Sequence, residues 1–160
     1  MFSLTMKLFS FGIVYNTMQN MNNLVANGLV TLKKDIEYGL ENEQPVVNHL
    51  EIHFKEPIKL AEYKYSPFDA YSETTKYEIK SRRNRHDKYK TTIIGCDKAR
   101  TQGRLCFVFH FTDGLFYIIY DKEKFEKYNI TNVSGVRKGG LRTEKPHYEI
   151  PIEDLTRINI

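Results

Sequence analysis

Residues 66–82 read Ser-Pro-Phe-Asp-Ala-Tyr-Ser-Glu-Thr-Thr-Lys-Tyr-Glu-Ile-Lys-Ser-Arg, and the fold turns on how this stretch pairs with itself. From Lys76 to Ser81, side chains alternate with a period of two, so Tyr77, Ile79 and Ser81 share one face while Glu78 and Lys80 share the other. Ser72 to Thr75 is polar and turn-like, which makes the Asp69-Ala70-Tyr71 segment the opposing arm of a hairpin. That hairpin carries Asp69 and Glu78 at neighbouring ends of paired strands. Upstream, Ile58 to Tyr65 alternates apolar and polar residues and reads as a strand or a strand lead-in, interrupted by Pro67.

Further upstream, Ile36, Leu40, Val47, Leu50 and Phe54 recur at three- and four-residue spacings from Lys33 onward, the pattern of a helix with one apolar stripe. Position 43 completes the series, and it is glutamate. Pro45 lacks a backbone donor, so the helix is expected to kink there or to restart with Pro45 in its first turn. Downstream, Thr91 to Gly103 is read as holding a short helix with Lys98 and Gln102 one turn apart. Arg104–Phe111 and Leu115–Tyr120 are apolar on both faces and are joined through Thr112-Asp113-Gly114, which predicts a hairpin of central strands. Asp121 is placed to cap a short helix running to about Tyr128, a strand is expected over Tyr148–Ile152, and a final helix over Glu153–Ile158. The order is that of an α/β or α+β domain, a central mixed β-sheet flanked by helices.

The chain has 160 residues, 41% hydrophobic, 13% aromatic and 28% charged, which suits one folded domain and excludes a disordered tail. Residues 1–30 read as a loose leader and residues 31–160 as the single domain. The apolar start, Met1 to Tyr15, contains Lys7, has no basic segment ahead of it and is too short for a membrane span, so an intracellular protein, cytoplasmic or nucleoid or nuclear, with no membrane partner is expected. Cys96 and Cys106 are the only cysteines, which excludes a disulfide framework and a structural zinc site. The formal charge of +4 permits a polyanionic partner without demanding one.

Chemistry concentrates in Asp69, Glu78 and Lys80. Hydrolysis of a phosphodiester needs a hard cation to offset charge on the phosphoryl group and to acidify the attacking water, and Mg²⁺ prefers carboxylate oxygens with retained waters. Asp69 and Glu78 offer such oxygens. Lys80, on the same strand face as Glu78, places an ammonium where it can orient the water or stabilise developing negative charge. Ile79 between them faces the core. Glu43 is a second oddity, because a carboxylate in an apolar stripe needs a metal, a basic partner or access to solvent.

Ser66-Pro67-Phe68-Asp69 followed by Glu78-Ile79-Lys80-Ser81-Arg82 resembles the PD-(D/E)xK nuclease superfamily, over roughly residues 33–122. The resemblance implies a restriction-endonuclease-like core in which the hairpin bears the acidic pair and the lysine, and in which a preceding helix contributes a further glutamate, the role Glu43 would take. It implies Asp69, Glu78 and Glu43 as metal ligands, Lys80 as the catalytic lysine, and Mg²⁺ as cofactor with Mn²⁺ as a substitute. The activity implied is a metal-dependent endonuclease acting on DNA, with RNA also open as substrate and a homodimer suited to cutting both strands. Gly39, one turn before Glu43, resembles the small residue of the family's first helix. Here Phe68 separates the proline from the aspartate, a departure from the usual motif.

The run from Lys80 to Lys90 is strongly basic, and Arg82, Arg83, Arg85, Lys88 and Lys90 are candidates for phosphate contacts, as is Lys98 farther along. Tyr89 lies within the run as an aromatic available for stacking on a base. Arg137–Arg142 forms a second basic stretch that could wrap DNA. His110 is expected to be a core histidine with a hydrogen-bond partner, and the two cysteines to be inert packing residues. Two other readings stand beside the nuclease: a catalytically silent nucleic-acid-binding domain of the same fold, and an interaction protein in which Glu43 and Glu78 lie far apart.

Overall fold

The computed structural model describes residues 33–34, 37–62, 66–136 and 142–159. The leader, Ile36, the end of the 58–65 segment and most of the 137–142 basic stretch lie outside the described residues.

A long helix, α1 (37–54), runs through Pro45 without interruption. It buries Val46, Val47 and Leu50 and half-buries Phe54, whereas Leu40 of the expected stripe is 61% exposed, so only the later part of the stripe packs; Pro45 lies on the exposed side. Lys55 takes a left-handed conformation (φ 56°) that ends the helix, and Glu51 Oε1 accepts a hydrogen bond from Ile58 N at 2.9 Å across the reversal.

The main sheet has six strands in the order β1 (Lys59–Leu60), β2 (Ala70–Tyr71), β3 (Thr75–Ser81), β5 (Arg104–Phe111), β6 (Gly114–Ile119) and β9 (Thr156–Ile158). All neighbours are antiparallel except β3 and β5, which run parallel with Glu78 opposite Phe107 and Lys80 opposite Phe109. The sheet is therefore mixed and the protein α+β. A second, three-stranded antiparallel sheet has the order β4 (Thr91–Gly95), β8 (Arg142–Pro151) and β7 (Ile130–Val136).

Each face of the main sheet has its own core. Tyr77, Ile79, Cys106, Val108, Leu115 and Ile158 pack with the α1 residues, whereas Leu105, Phe107, Phe109, Phe111, Phe116 and Ile118 pack with Ile94 and Ile150 of the second sheet and with Phe125. The double-sided apolar pattern of β5 and β6 follows from this burial on both sides.

Three expectations give way. The second face is covered chiefly by a sheet, with one short helix, α2 (Lys122–Phe125), capped by Asp121 through Lys124 N at 2.8 Å. Residues 91–103, expected to hold a helix, form β4 and then a single 3₁₀ turn at Lys98–Arg100, because Thr92, Ile94 and Cys96 alternate inward to cover the sheet. The final helix is instead a 3₁₀ turn, Ile152–Asp154, followed by β9, which adds an edge strand to β6 and buries Ile158. Gly39 has open space where a side chain would sit, so no close helix approach depends on it.

Phe107, fully buried at the centre of the sheet-facing core, gives a direct test of this architecture. Phe107→Ala is expected to lower unfolding free energy by about 3–5 kcal/mol in urea titrations, whereas Ile52→Ala, on the exposed side of α1, should change it by no more than about 0.5 kcal/mol.

Candidate active site

The hairpin of β2 and β3 builds the site. Ala70 pairs with Tyr77 and Tyr71 with Lys76, and the register continues one residue further through Asp69 N donating to Tyr77 O at 3.0 Å. Asp69 thus stands opposite Glu78. Asp69 Oδ2 accepts the Ile79 amide at 2.7 Å, which fixes the carboxylate over β3 and leaves Oδ1 without a partner among the described residues.

Glu78 is only 1% exposed. Leaving a carboxylate unpaired at such a depth is expensive, and two ammonium groups answer it. Lys80 Nζ lies 2.5 Å from Oε1 and Lys98 Nζ lies 2.7 Å from Oε2. The Lys98 contact is one of charge, since Oε2 receives no aligned hydrogen bond; the same ammonium donates to Pro67 O at 2.6 Å and sits 5.5 Å from the centre of the Phe68 ring. Lys98 therefore ties the turn after β4 to the segment ahead of Asp69. The sequence had offered it as facing either the phosphate backbone or the site; it pairs with Glu78, from a 3₁₀ turn and not from the expected helix.

Glu43 reaches the same place from α1. Burial pushes its carboxyl above the ordinary value; the charge of Asp69 pushes the same way, Lys80 opposes, and Glu78 adds a further upward push. The charges of Glu43 and Glu78 thus act on one another. Three carboxylates, from Glu43, Asp69 and Glu78, face two ammonium groups, from Lys80 and Lys98. Glu43, Asp69 and Glu78 do not bring three ligand atoms within 4.8 Å of one another, so they form an acidic neighbourhood around the buried Glu78 carboxylate and not a preformed cation site.

The basic run is mostly occupied within the protein. Arg82 Nη2 donates to Ile93 O at 2.8 Å, and Arg83 Nη2 donates to Lys34 O at 2.9 Å while its guanidinium lies 4.9 Å from the centre of the Tyr38 ring. Arg85 pairs with Asp87 at 3.2 Å and with Asp113 at 3.4 Å. Lys88 and Lys90 are exposed, Lys88 lying beside the Tyr89 ring.

Among the described residues, the group of three donors whose ligand atoms lie within 4.8 Å of one another is His86, Asp87 and Asp113. They are already engaged: Asp113 takes His86 Nδ1 at 2.6 Å and the His86 amide at 2.8 Å, and Arg85 covers both carboxylates. Burial pushes Asp113 up, but the His86 hydrogen bonds outweigh it and hold the carboxyl below its usual range. His86 also stacks on Phe116, so the cluster fastens the loop after β3 to the β5–β6 turn.

His110 departs from expectation, because its buried Nδ1 has no hydrogen-bond partner among the described residues, and burial lowers its pKa. Burial raises both thiols, in keeping with inert cysteines. No helix among the described residues is long and apolar enough to cross a membrane. Comparison with known protein families, with curated proteins and with solved structures gives no match.

The raised Glu43 value sets a pH test. A carboxyl with a higher pKa in the folded than in the unfolded state makes the native form lose stability as pH rises from the ordinary value through the raised one. Glu43→Gln removes that loss. In EDTA, its unfolding free energy relative to wild type is expected to increase between about pH 4 and pH 7; urea titrations at the two ends of the range check this.

Proposed function

We propose that this chain is a divalent-metal-dependent nuclease with a restriction-endonuclease-like catalytic core, acting as an endonuclease on DNA. The observation that supports the reading is that the charges of Glu43 on α1, Asp69 ahead of β2, and Glu78 and Lys80 on β3 act on one another in one neighbourhood around the buried Glu78 carboxylate. Nothing in ordinary folding calls for three carboxylates to meet there, since each raises the cost of its neighbours. Sites of hydrolytic chemistry do call for it.

When bound, Mg²⁺ or Mn²⁺ would supply positive charge at the scissile phosphate and a more acidic water. Asp69, pinned by the Ile79 amide, offers a carboxylate that does not have to reorganise on binding. Lys80 is 37% exposed while its partner Glu78 is buried, so the ammonium stands between the interior and the solvent side, where it orients a water and offsets charge developing on the phosphate. Glu43, raised above an ordinary carboxyl, is suited to accept a proton from that water. Lys98 holds Glu78 from the opposite oxygen and acts as a positioning residue.

One observation favours a second reading, a catalytically silent DNA-binding domain of the same fold: both Glu78 oxygens are taken by lysines. Metal dependence separates the two. On supercoiled, linear and four-way-junction DNA, the wild type is expected to cut with Mg²⁺ or Mn²⁺ and not with EDTA. Glu78→Ala and Lys80→Ala, matched for folding, should each lower the rate roughly 10²-fold or more. Binding without metal-dependent cutting would favour the silent domain, and variants that cut like wild type would overturn the assignment.

A further inference from the structure

Beside the acidic site lies a cavity of about 320 Å³ between the two sheets, lined by Arg82, Asn84, His86, Tyr89, Ile93 and Phe111 among others. Its position follows from β3. The amide of Arg82 donates to His110 O at 2.7 Å, which extends the ladder one residue past Ser81 and brings the Arg82 side chain to the face that carries Glu78 and Lys80. Arg82 is two residues from Lys80, about 7 Å along a strand, which is the scale of a single nucleotide step.

Two features of the cavity call for a ligand. The first is Arg82 itself, a guanidinium with five donors, of which Nη2 is engaged by Ile93 O. Burial weighs on its charge, and no carboxylate among the described residues offsets it. Arginine so placed is suited to a phosphate, which it can grip with two donors at once. The second is Tyr89, which stays 59% exposed although it borders the cavity, an aromatic surface left open by the packing. Beyond it a more open depression of about 670 Å³ shares Tyr89, Thr91 and Ile152 and carries Lys88 and Lys90, together with Asp87 and Glu153. The groove therefore continues past the cavity on the far side of the tyrosine.

We infer that this cavity is a nucleotide subsite, which takes one unpaired nucleotide next to the scissile phosphate, its base against Tyr89 in the apolar interior and its phosphate on Arg82. The walls set the class of substrate. At the lower end of the size range of ligand pockets, about 300–1,000 Å³, the cavity admits a single flat heterocycle with its sugar and excludes a base pair. Single-stranded DNA, or a strand unpaired at an end or a branch, fills it directly, whereas continuous duplex must first give up stacking and pairing, a cost of a few kcal/mol. The subsite rests on the nuclease reading for its place in a reaction, but not for its binding.

The test reads binding apart from cutting. In EDTA, fluorescence anisotropy of the full chain with a labelled single-stranded DNA, with the same strand in duplex form, and with strands carrying one abasic position stepped along their length is expected to show at least roughly tenfold preference for the intact single strand. An abasic gap at one position should weaken binding. Tyr89→Ala, at an exposed residue whose loss leaves the core intact, should weaken binding of the intact strand roughly tenfold and have no further effect on the strand with the gap at that position. Arg82→Gln should weaken both strands alike. Equal affinity for single strand and duplex, or a Tyr89→Ala protein that binds the intact strand like wild type, would overturn the subsite. Metal-dependent cutting measured in parallel keeps the two proposals apart: cutting that survives with no Tyr89 dependence removes the subsite alone, and base-dependent binding without cutting removes the nuclease alone.

Discussion

The structure depends on a buried carboxylate and what neutralises it. Glu78 lies on the sheet face where Phe107, Phe109, Leu105 and Ile118 are buried, and it is tolerated there because Lys80 and Lys98 meet its two oxygens. Each lysine brings its own element with it. Lys80 comes from the same strand, so the E-x-K spacing is the shortest way to put acid and base on one face. Lys98 comes from the crossover between β3 and β5, and its hold on both Glu78 and Pro67 O closes that crossover over the site. Removing either lysine would leave the buried Glu78 charge less compensated, so the triad ties β3 to the turn that carries Lys98.

The crossover also explains the architecture. Two parallel neighbours, β3 and β5, require a long connection, which is commonly a helix packed on the sheet. Here the connection contributes β4, and β4 recruits β8 and β7 into a second sheet that buries the phenylalanine-rich face. The opposite face is left to α1, which brings Glu43 to the edge of the hairpin. The acidic residues therefore approach from the α1 side and from the sheet, while basic and aromatic groups of the 82–90 segment line the gap between the sheets.

Much of this was legible in the sequence where a period or a turn carried it. The hairpin that sets Asp69 against Glu78, the central strands around Thr112-Asp113, the Asp121 cap and the glutamate in the α1 stripe all follow from local patterning. What was not legible depended on tertiary context. Thr91–Gly95 is short and could pack as helix or strand until a sheet is present to receive Ile94, and Thr156–Ile158 became a strand only because β6 offered a free edge. Pro45 is accommodated inside α1, on the side facing away from the core. Arginine roles were hardest to read, since a basic run looks the same whether its side chains reach solvent or, like Arg82, turn inward to a backbone carbonyl.

The proposal that Glu43, Asp69 and Glu78 close around a cation is tested most directly by locating the cation. In crystals soaked with Mn²⁺, anomalous scattering should place an ion against the Asp69 and Glu78 carboxylates, with at least one lysine ammonium drawn away from Glu78. An ion found only at His86, Asp87 and Asp113, or none at the acidic site with Lys80 and Lys98 still paired to Glu78, would contradict the account.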